Sequence, residues 1–177
     1  MPYQTVASNL HDFYILAGTA SATLVGLLFV GLSLHLRIVL TAAEVRSIAR
    51  VTLANFGAVL FVALFLVINE DPTSAGWQLI GAGIVSLVIT RPSLVTAAQS
   101  EGRSLDMRRR DRFRLLLRFG FSTLSYVAIT GAGVLLLASQ FSTFEVVIVV
   151  TTVVLLLISL RNTWDLLVTV GEVTLES

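Results

Sequence analysis

The chain has 177 residues, of which 55% are hydrophobic and only 13% are charged, with a formal net charge of +1 and a mean hydropathy of +0.88. This composition excludes an ordinary soluble domain and predicts an all-α, polytopic integral membrane helical bundle, with about five transmembrane helices in a single domain over 1–177. All 12 basic side chains are arginine and cysteine is absent, which excludes lysine Schiff-base and P-loop chemistry, disulfides and thiolate sites.

The first predicted element is a membrane-length helix over 12–36. No Asp, Glu, Lys or Arg occurs between Phe13 and Leu36. This stretch exceeds the roughly 20 residues that cross a hydrocarbon core of about 30 Å. The segment is therefore predicted to span the membrane.

One face of this first helix is small and polar. At about 100° of turn per residue, the face and its flanks comprise Asp12, Gly18, Thr19, Ala22, Thr23, Gly26, Ser33 and Arg37. Gly18, Ala22 and Gly26 lie four residues apart, which removes side-chain bulk along one line and lets another helix approach closely. Two interpretations stay open. The face is either a packing seam, where small residues and hydroxyls are common, or the lining of a water-filled path.

The second helix is predicted from a capping box. Thr41 and Glu44 have the spacing of this motif, so the helix should begin near Ala42 and have its membrane-embedded part over 48–69. Its one strongly polar residue is Asn55, whose buried amide must find a partner in an apolar helix. An interhelical hydrogen bond is the simpler explanation, and a binding site is the alternative.

A third span is predicted over 75–98. An acidic pair followed by Pro72 interrupts the apolar pattern before it, and Ser74 is the expected N-cap. Arg91 and Pro92 fall near its end, where we expect a kink rather than the end of the helix.

The next segment is rich in arginine. We predict a basic cytoplasmic loop over 99–112, followed by a fourth span over 113–138. The basic residues expected to bind anionic lipid or a cytosolic partner are Arg108, Arg109, Arg110, Arg112, Arg114 and Arg118. Phe113 is the only aromatic residue among them, and a nucleic-acid surface would have more, so no nucleic-acid partner is expected.

The fifth span is predicted over 143–161. Ser142 and Glu145 have the spacing of a second capping box. A role at the start of the helix would explain Glu145 without any function. The residues after 161 are expected to form a short amphipathic or frayed tail.

The distribution of arginine predicts the topology. The connections after the first and third spans carry arginine, whereas the connections after the second and fourth carry none. Basic residues favour the cytoplasmic side, so the N-terminus should lie outside and the C-terminus inside. We expect a multi-pass protein of a prokaryotic-type plasma membrane.

Catalytic chemistry is not expected. His11 and His35 are roughly 36 Å apart along one helix and cannot share a metal ion within a chain. The sequence contains no motif typical of metalloproteases, serine hydrolases or phosphate-binding loops. We therefore predict a protein that is not an enzyme and that binds no cofactor or metal.

Two functions remain as hypotheses. The first is a homo-oligomeric ion channel or pore, because five helices are too few to enclose a wide aqueous path, whereas several copies lined by the first helix would conduct an ion or small solute. The second is a non-catalytic structural or regulatory membrane subunit. In it the same face docks a partner helix, and the arginine-rich loop binds anionic lipid or a cytosolic protein.

Overall fold

The structure, a computed structural model, describes residues 3–35, 43–68, 71–101 and 109–175, with side chains at 3–35, 45–68, 71–91, 120–168 and 171. The described residues form five helices: α1 (Tyr3–Leu34), α2 (Ala43–Ile68), α3 (Pro72–Glu101), α4 (Arg109–Leu137) and α5 (Phe141–Leu175). Each contains a stretch that is long and apolar enough to cross a membrane. The prediction of an all-α chain with five such helices is confirmed.

Two helices are longer than predicted. α1 begins at Tyr3 rather than near residue 12, and Tyr3 and Val6 are both buried, so packing holds the first turns of the helix. α5 runs to Leu175 and buries Leu166, so the residues after 161 continue the helix, and the alternative of a frayed tail was wrong. Tertiary packing stabilises these turns, and hydropathy alone does not detect it.

The predicted basic loop 99–112 is partly helical. α3 continues through Arg91 and Pro92 to Glu101, as expected for a helix that does not end at the proline, and α4 begins at Arg109.

The N-cap of α3 is Asp71 and not Ser74. The backbone N–H and the hydroxyl of Ser74 both donate to Asp71 Oδ2, over 2.9 Å each. Pro72 occupies the first helical position, where its missing N–H costs nothing. The two bonds from Ser74, the backbone one first, hold the pKa of the Asp71 carboxyl below its ordinary value.

The predicted capping box at the start of α5 was also wrong. Phe144 N–H donates to the carbonyl of Gln140 over 3.0 Å, so Gln140 is the N-cap, and Ser142 lies inside the first turn. Ser139 before it has a positive φ of 59°. The N–H groups of Ser139 and Gln140 donate back to the carbonyls of Leu136 and Leu135, which is a Schellman motif at the end of α4.

Helix α2 is the centre of the bundle and contacts all four other helices, whereas α1 lies at the edge and packs mainly on α2. The α3–α4 pair is closely packed because glycines face each other. A Cβ added at Gly133 would lie 2.7 Å from the Gly76 carbonyl oxygen, and one added at Gly83 would lie 2.9 Å from the Tyr126 carbonyl oxygen. Larger residues at these positions would separate the two helices.

The five helices alternate in direction. The Tyr3 ring lies 6.1 Å from the Phe141 ring, which brings the starts of α1 and α5 together, and Gly76 near the start of α3 lies against Gly133 near the end of α4. We call the end where α1, α3 and α5 begin the Tyr3 end, and the opposite end, where α2 and α4 begin, the Arg50 end.

Candidate functional site

The polar face of α1 points away from the rest of the chain. Its exposed members are Asp12, Thr19, Ala22, Thr23, Gly26 and Ser33, and Arg37 lies outside the described residues. Gly18 is buried, and a Cβ added there would lie 3.0 Å from Ala63 Cβ on α2, whereas a Cβ at Gly26 would meet nothing within 4 Å. Within one chain, the small-residue line therefore contacts another helix at Gly18 and not at Gly26.

The hydroxyls of this face are bonded to their own helix. Thr23 Oγ1 donates to the Thr19 carbonyl over 2.9 Å, and Ser33 Oγ donates to the Val30 carbonyl over 2.8 Å. Each of these two hydroxyl protons therefore has an acceptor, while the hydroxyl oxygens keep lone pairs that can accept a further hydrogen bond on the exposed side of α1. Such a face can meet a dry partner helix, and it can also offer oxygen atoms to a cation or to water.

A different hydroxyl joins α1 to the bundle. Ser21 is fully buried, and its Oγ donates to the carbonyl of Phe56 on α2 over 2.6 Å. This contact was not predicted from the sequence. Ser21 lies within the same run of small residues, but the run alone does not indicate which of its residues face inward.

Asn55 is part of a buried polar network between α2 and α4. The Tyr126 hydroxyl donates to Asn55 Oδ1 over 2.5 Å, and Asn55 Nδ2 donates to Ser122 Oγ over 3.1 Å. All three side chains are fully buried. The Thr90 hydroxyl on α3 also approaches the Tyr126 phenol, so three helices contribute to the network. Bonds of this kind are typical of helix association in an apolar environment.

The network belongs to a polar layer across the bundle. Ser21, Thr90 and Ser159 are buried at nearly the same depth, roughly 27 Å from the starts of α1, α3 and α5 at about 1.5 Å per residue. We call eight of the buried polar side chains near this level the polar layer: Ser21, Thr52, Asn55, Thr90, Ser122, Tyr126, Ser159 and Asn162.

The core between the polar layer and the Tyr3 end is largely apolar. Its buried polar groups among the described side chains include the Tyr14 phenol and the hydroxyls of Thr151 and Thr152, and both hydroxyls donate to carbonyls of their own helix. Its buried side chains include Val59, Val62, Leu66, Leu79, Ile129, Leu136, Phe144 and Ile148. Across the described side chains, this apolar block separates the polar layer from the Tyr3 end. The centre of a single chain therefore has a polar half and a largely apolar half.

The arginine cluster lies at the Arg50 end. Arg108 is outside the described residues, and the helical positions at the start of α4 are Arg109, Arg110, Arg112, Arg114 and Arg118. Arg110, Arg114 and Arg118 follow each other at intervals of four, so their backbone positions share one side of the helix.

The histidines remain separate. His11 is exposed on α1, while His35 follows the end of the same helix with its Nδ1 3.3 Å from the Gly31 carbonyl oxygen. Across the described ranges, no group of three His, Asp or Glu side chains is arranged to hold a metal ion.

Comparison with known proteins finds no match: no protein-family model, no curated protein and no solved structure resembles the chain significantly.

Proposed function

We propose that the protein is a five-span integral membrane protein whose copies assemble through the outward face of α1 and enclose an ion-conducting pore. In this arrangement Thr19, Thr23 and Ser33 line the path with oxygen atoms, and Asp12 forms an acidic ring toward the Tyr3 end. Hydroxyl and carboxylate oxygens are the groups that replace part of the hydration shell of a cation.

One observation carries this proposal: the polar face of α1 is exposed, while the interior of one chain has a largely apolar half. Thr19, Thr23 and Asp12 are exposed, and large apolar side chains occupy the core toward the Tyr3 end. A polar path through the centre of a single chain would have to cross that apolar half, whereas a path between copies would not.

The position of Asp12 supports the same assembly. Asp12 lies roughly 13 Å along α1 from Tyr3, and Tyr3 itself is level with the start of α5. An exposed carboxylate at that depth is unfavourable against lipid, by about 2.5–3.5 kcal/mol for a charge at the centre of a bilayer and less nearer the interface. Neighbouring copies that surround a hydrated axis would remove this penalty.

The first test is cross-linking between copies. Because the chain has no cysteine, Thr23→Cys introduces a single thiol. We expect a short bifunctional reagent to link copies at this position in lipid. Val88→Cys on α3 is the matched control, since Val88 is 58% exposed on an apolar face. Equal cross-linking at both positions, or at neither, would argue against the α1 interface.

The second test is ion flux into liposomes under an imposed potential. We expect flux from the wild type, a large reduction in Thr23→Leu and an altered cation preference in Asp12→Asn, because these changes remove an oxygen from the wall and a charge from the mouth of the path. Val88→Leu should conduct like the wild type. Flux that is insensitive to both α1 substitutions would place the path elsewhere.

A second candidate is a structural or regulatory membrane subunit that docks a partner helix on the same face. It is favoured by the hydroxyl protons of Thr23 and Ser33, which are bonded to their own helix and so permit a dry contact. Cross-linking at Thr23→Cys without any flux would support this candidate over the pore.

The proposed orientation has the Tyr3 end outside and the arginine-rich end in the cytoplasm. An impermeant thiol reagent should label Thr73→Cys, an exposed position in the first turn of α3, from outside. It should label Ser104→Cys only after the membrane is opened. The reverse pattern would invert the proposed topology.

A further inference from the structure

One side of the central helix α2 is open. The other four helices form an arc around α2 in the order α1, α5, α4 and α3, because each contacts α2 and its neighbour in this order, whereas α1 and α3 hardly contact each other within the described ranges. The arc is therefore open between α1 and α3. On the side of α2 that remains uncovered, Arg46, Arg50 and Phe61 are exposed.

The middle of this open side is recessed. Gly57 is half-buried, yet a Cβ added there would meet nothing within 4 Å, so Gly57 lies at the bottom of a recess and not under another side chain. Phe61 stacks on Phe65 with a centroid separation of 5.9 Å, which holds its ring beside the recess on the Tyr3 side. At about 100° of turn per residue, four further residues lie within roughly 40° of Gly57. Together with Gly57 they form what we call the α2 groove: Arg46, Arg50, Leu53 and Phe61.

The arginine end of the α2 groove carries positive charge that the described carboxylates do not balance. Arg46 and Arg50 are one turn apart, so their guanidinium groups share one side of α2. Asp165 is on α5, which packs through Leu166 against Ile48, on the opposite side of α2. The other described carboxylates lie toward the Tyr3 end: Asp12, Asp71 and Glu145. An anion is therefore the complementary ligand for this end of the groove.

The apolar part of the α2 groove has the length of one bilayer leaflet. Arg50 and Phe61 are roughly 17 Å apart along α2, and half of a hydrocarbon core of about 30 Å is about 15 Å. Leu53 and Gly57 line the recess between them and offer no polar side-chain atom. A ligand with an anionic head at Arg50 and an apolar chain that reaches Phe61 matches both the charge and the length of the groove.

We propose that the α2 groove binds one anionic phospholipid from the leaflet at the Arg50 end. Its phosphate lies on Arg46 and Arg50, because the planar guanidinium fork pairs with phosphate oxygens through parallel hydrogen bonds. One acyl chain lies over Gly57 and ends at Phe61. A zwitterionic lipid brings its own cation to the phosphate and so gains less from the two arginines. The inference rests on the proposed placement in a membrane and not on the proposed pore.

Arg161 on α5 shows how this site differs from ordinary contact between an arginine and the bilayer. Arg161 is also exposed and also lies toward the Arg50 end. The side chains that precede it on the surface of α5, Leu157 and Leu160, are large and exposed, so they leave no recess for an acyl chain. Arg161 therefore provides a matched control with charge but without a groove.

The experiment is native mass spectrometry of the purified full-length protein, released from detergent micelles that contain equal amounts of phosphatidylglycerol and phosphatidylcholine with the same acyl chains. We expect the wild type to retain one phosphatidylglycerol per chain in preference to phosphatidylcholine. Arg50→Gln should lower the affinity for phosphatidylglycerol about fivefold, which corresponds to the contribution of one basic residue beside an anionic surface. Arg161→Gln should bind like the wild type.

The recess is tested without changing any charge. Gly57→Leu fills the space over Gly57, and because a Cβ there meets nothing, the bundle should fold as before. We expect this variant to lose the retained phospholipid although both arginines are present. Gly131→Leu is the matched control, since Gly131 is an exposed glycine of α4 whose Cβ position is also free, and it should retain the lipid.

Three results would overturn the lipid site: equal retention of the two lipids by the wild type, equal effects of Arg50→Gln and Arg161→Gln, or unchanged retention in Gly57→Leu. Cross-linking between copies through Gly57→Cys in lipid would instead assign the groove to a second copy of the chain and overturn it too. A wild type that alkaline carbonate extracts from membranes would refute the membrane placement itself. A wild type that resists extraction but shows no lipid preference would refute the lipid site alone.

Discussion

The hydroxyl of Tyr126 on α4 donates to the amide oxygen of Asn55 on α2 over 2.5 Å, and neither side chain is exposed. The bond connects the central helix to the closely packed α3–α4 pair. It also lies in the polar layer, where each group needs a partner because water is excluded.

Removing the Tyr126 hydroxyl should destabilise the bundle. Tyr126→Phe leaves Asn55 Oδ1 without this donor, and we expect a loss of about 1–2 kcal/mol in the free energy of unfolding, within the range for hydrogen bonds between membrane helices. The Asn55→Leu, Tyr126→Phe double variant should lose less than the sum of the single variants, because both polar groups are removed together. Reversible unfolding in mixed detergent measures all four proteins, and strict additivity would contradict an energetic coupling between the pair.

The glycines of α4 should differ sharply in their tolerance of a methyl group. In Gly133→Ala the new Cβ would lie 2.7 Å from the Gly76 carbonyl oxygen, so we expect a loss of about 1–3 kcal/mol as α3 and α4 separate. Gly131 is the matched control, because a Cβ there meets nothing within 4 Å. Gly131→Ala should be neutral or stabilising by up to about 1 kcal/mol through helix propensity. Similar Tm values for the two variants would refute the close α3–α4 contact.

Replacing Ser139 by glycine should make the turn between α4 and α5 more stable. Ser139 has a φ of 59°, a conformation that costs L-residues about 1–2 kcal/mol and costs glycine almost nothing. Glycine also loses more backbone entropy on folding, so Ser139→Gly should gain up to about 1 kcal/mol. Ser139→Val should be less stable than the wild type because branching at Cβ disfavours positive φ. The Tm of the three proteins in one detergent gives the comparison, and a destabilised glycine variant would rule out this backbone conformation.

The cap of α3 should make stability depend on pH. Hydrogen bonds from Ser74 depress the pKa of Asp71 in the folded chain, so the unfolded chain takes up the proton more readily. The stabilisation is therefore complete above the ordinary value of about 3.9 and is lost as the pH falls through the lower pKa of the folded chain.

Asp71→Asn keeps an N-cap but cannot titrate. Below about pH 4 the wild type should lose stability relative to Asp71→Asn. Asp71→Ala should be less stable than Asp71→Asn at every pH. Parallel pH profiles for the wild type and Asp71→Asn would exclude the Asp71 carboxylate as the source of the pH dependence of stability.

Hydropathy and sequence breaks were sufficient to predict the number and order of the helices, but not where α1 begins or where α5 ends. Long apolar runs separated by Pro72 and by charged residues predicted five helices. In an apolar environment the backbone N–H and C=O groups of a segment must bond to each other, and a single segment can do so only as a helix. Asn55 stood out for a similar reason, since an amide within an apolar helix requires a partner wherever the helix packs.

The inward faces of the helices were decided only by tertiary structure. In α1 and α4 nearly every side is apolar or small, so periodicity does not separate Gly18 from Gly26 or Gly133 from Gly131, although one of each pair packs closely and the other meets nothing. Ser74 and Ser142 were likewise predicted as N-caps from their residue types, whereas Asp71 and Gln140 hold those positions in the folded chain. Which of them caps a helix depends on where the preceding turn places the backbone N–H groups, and that position is set by packing between helices distant in sequence.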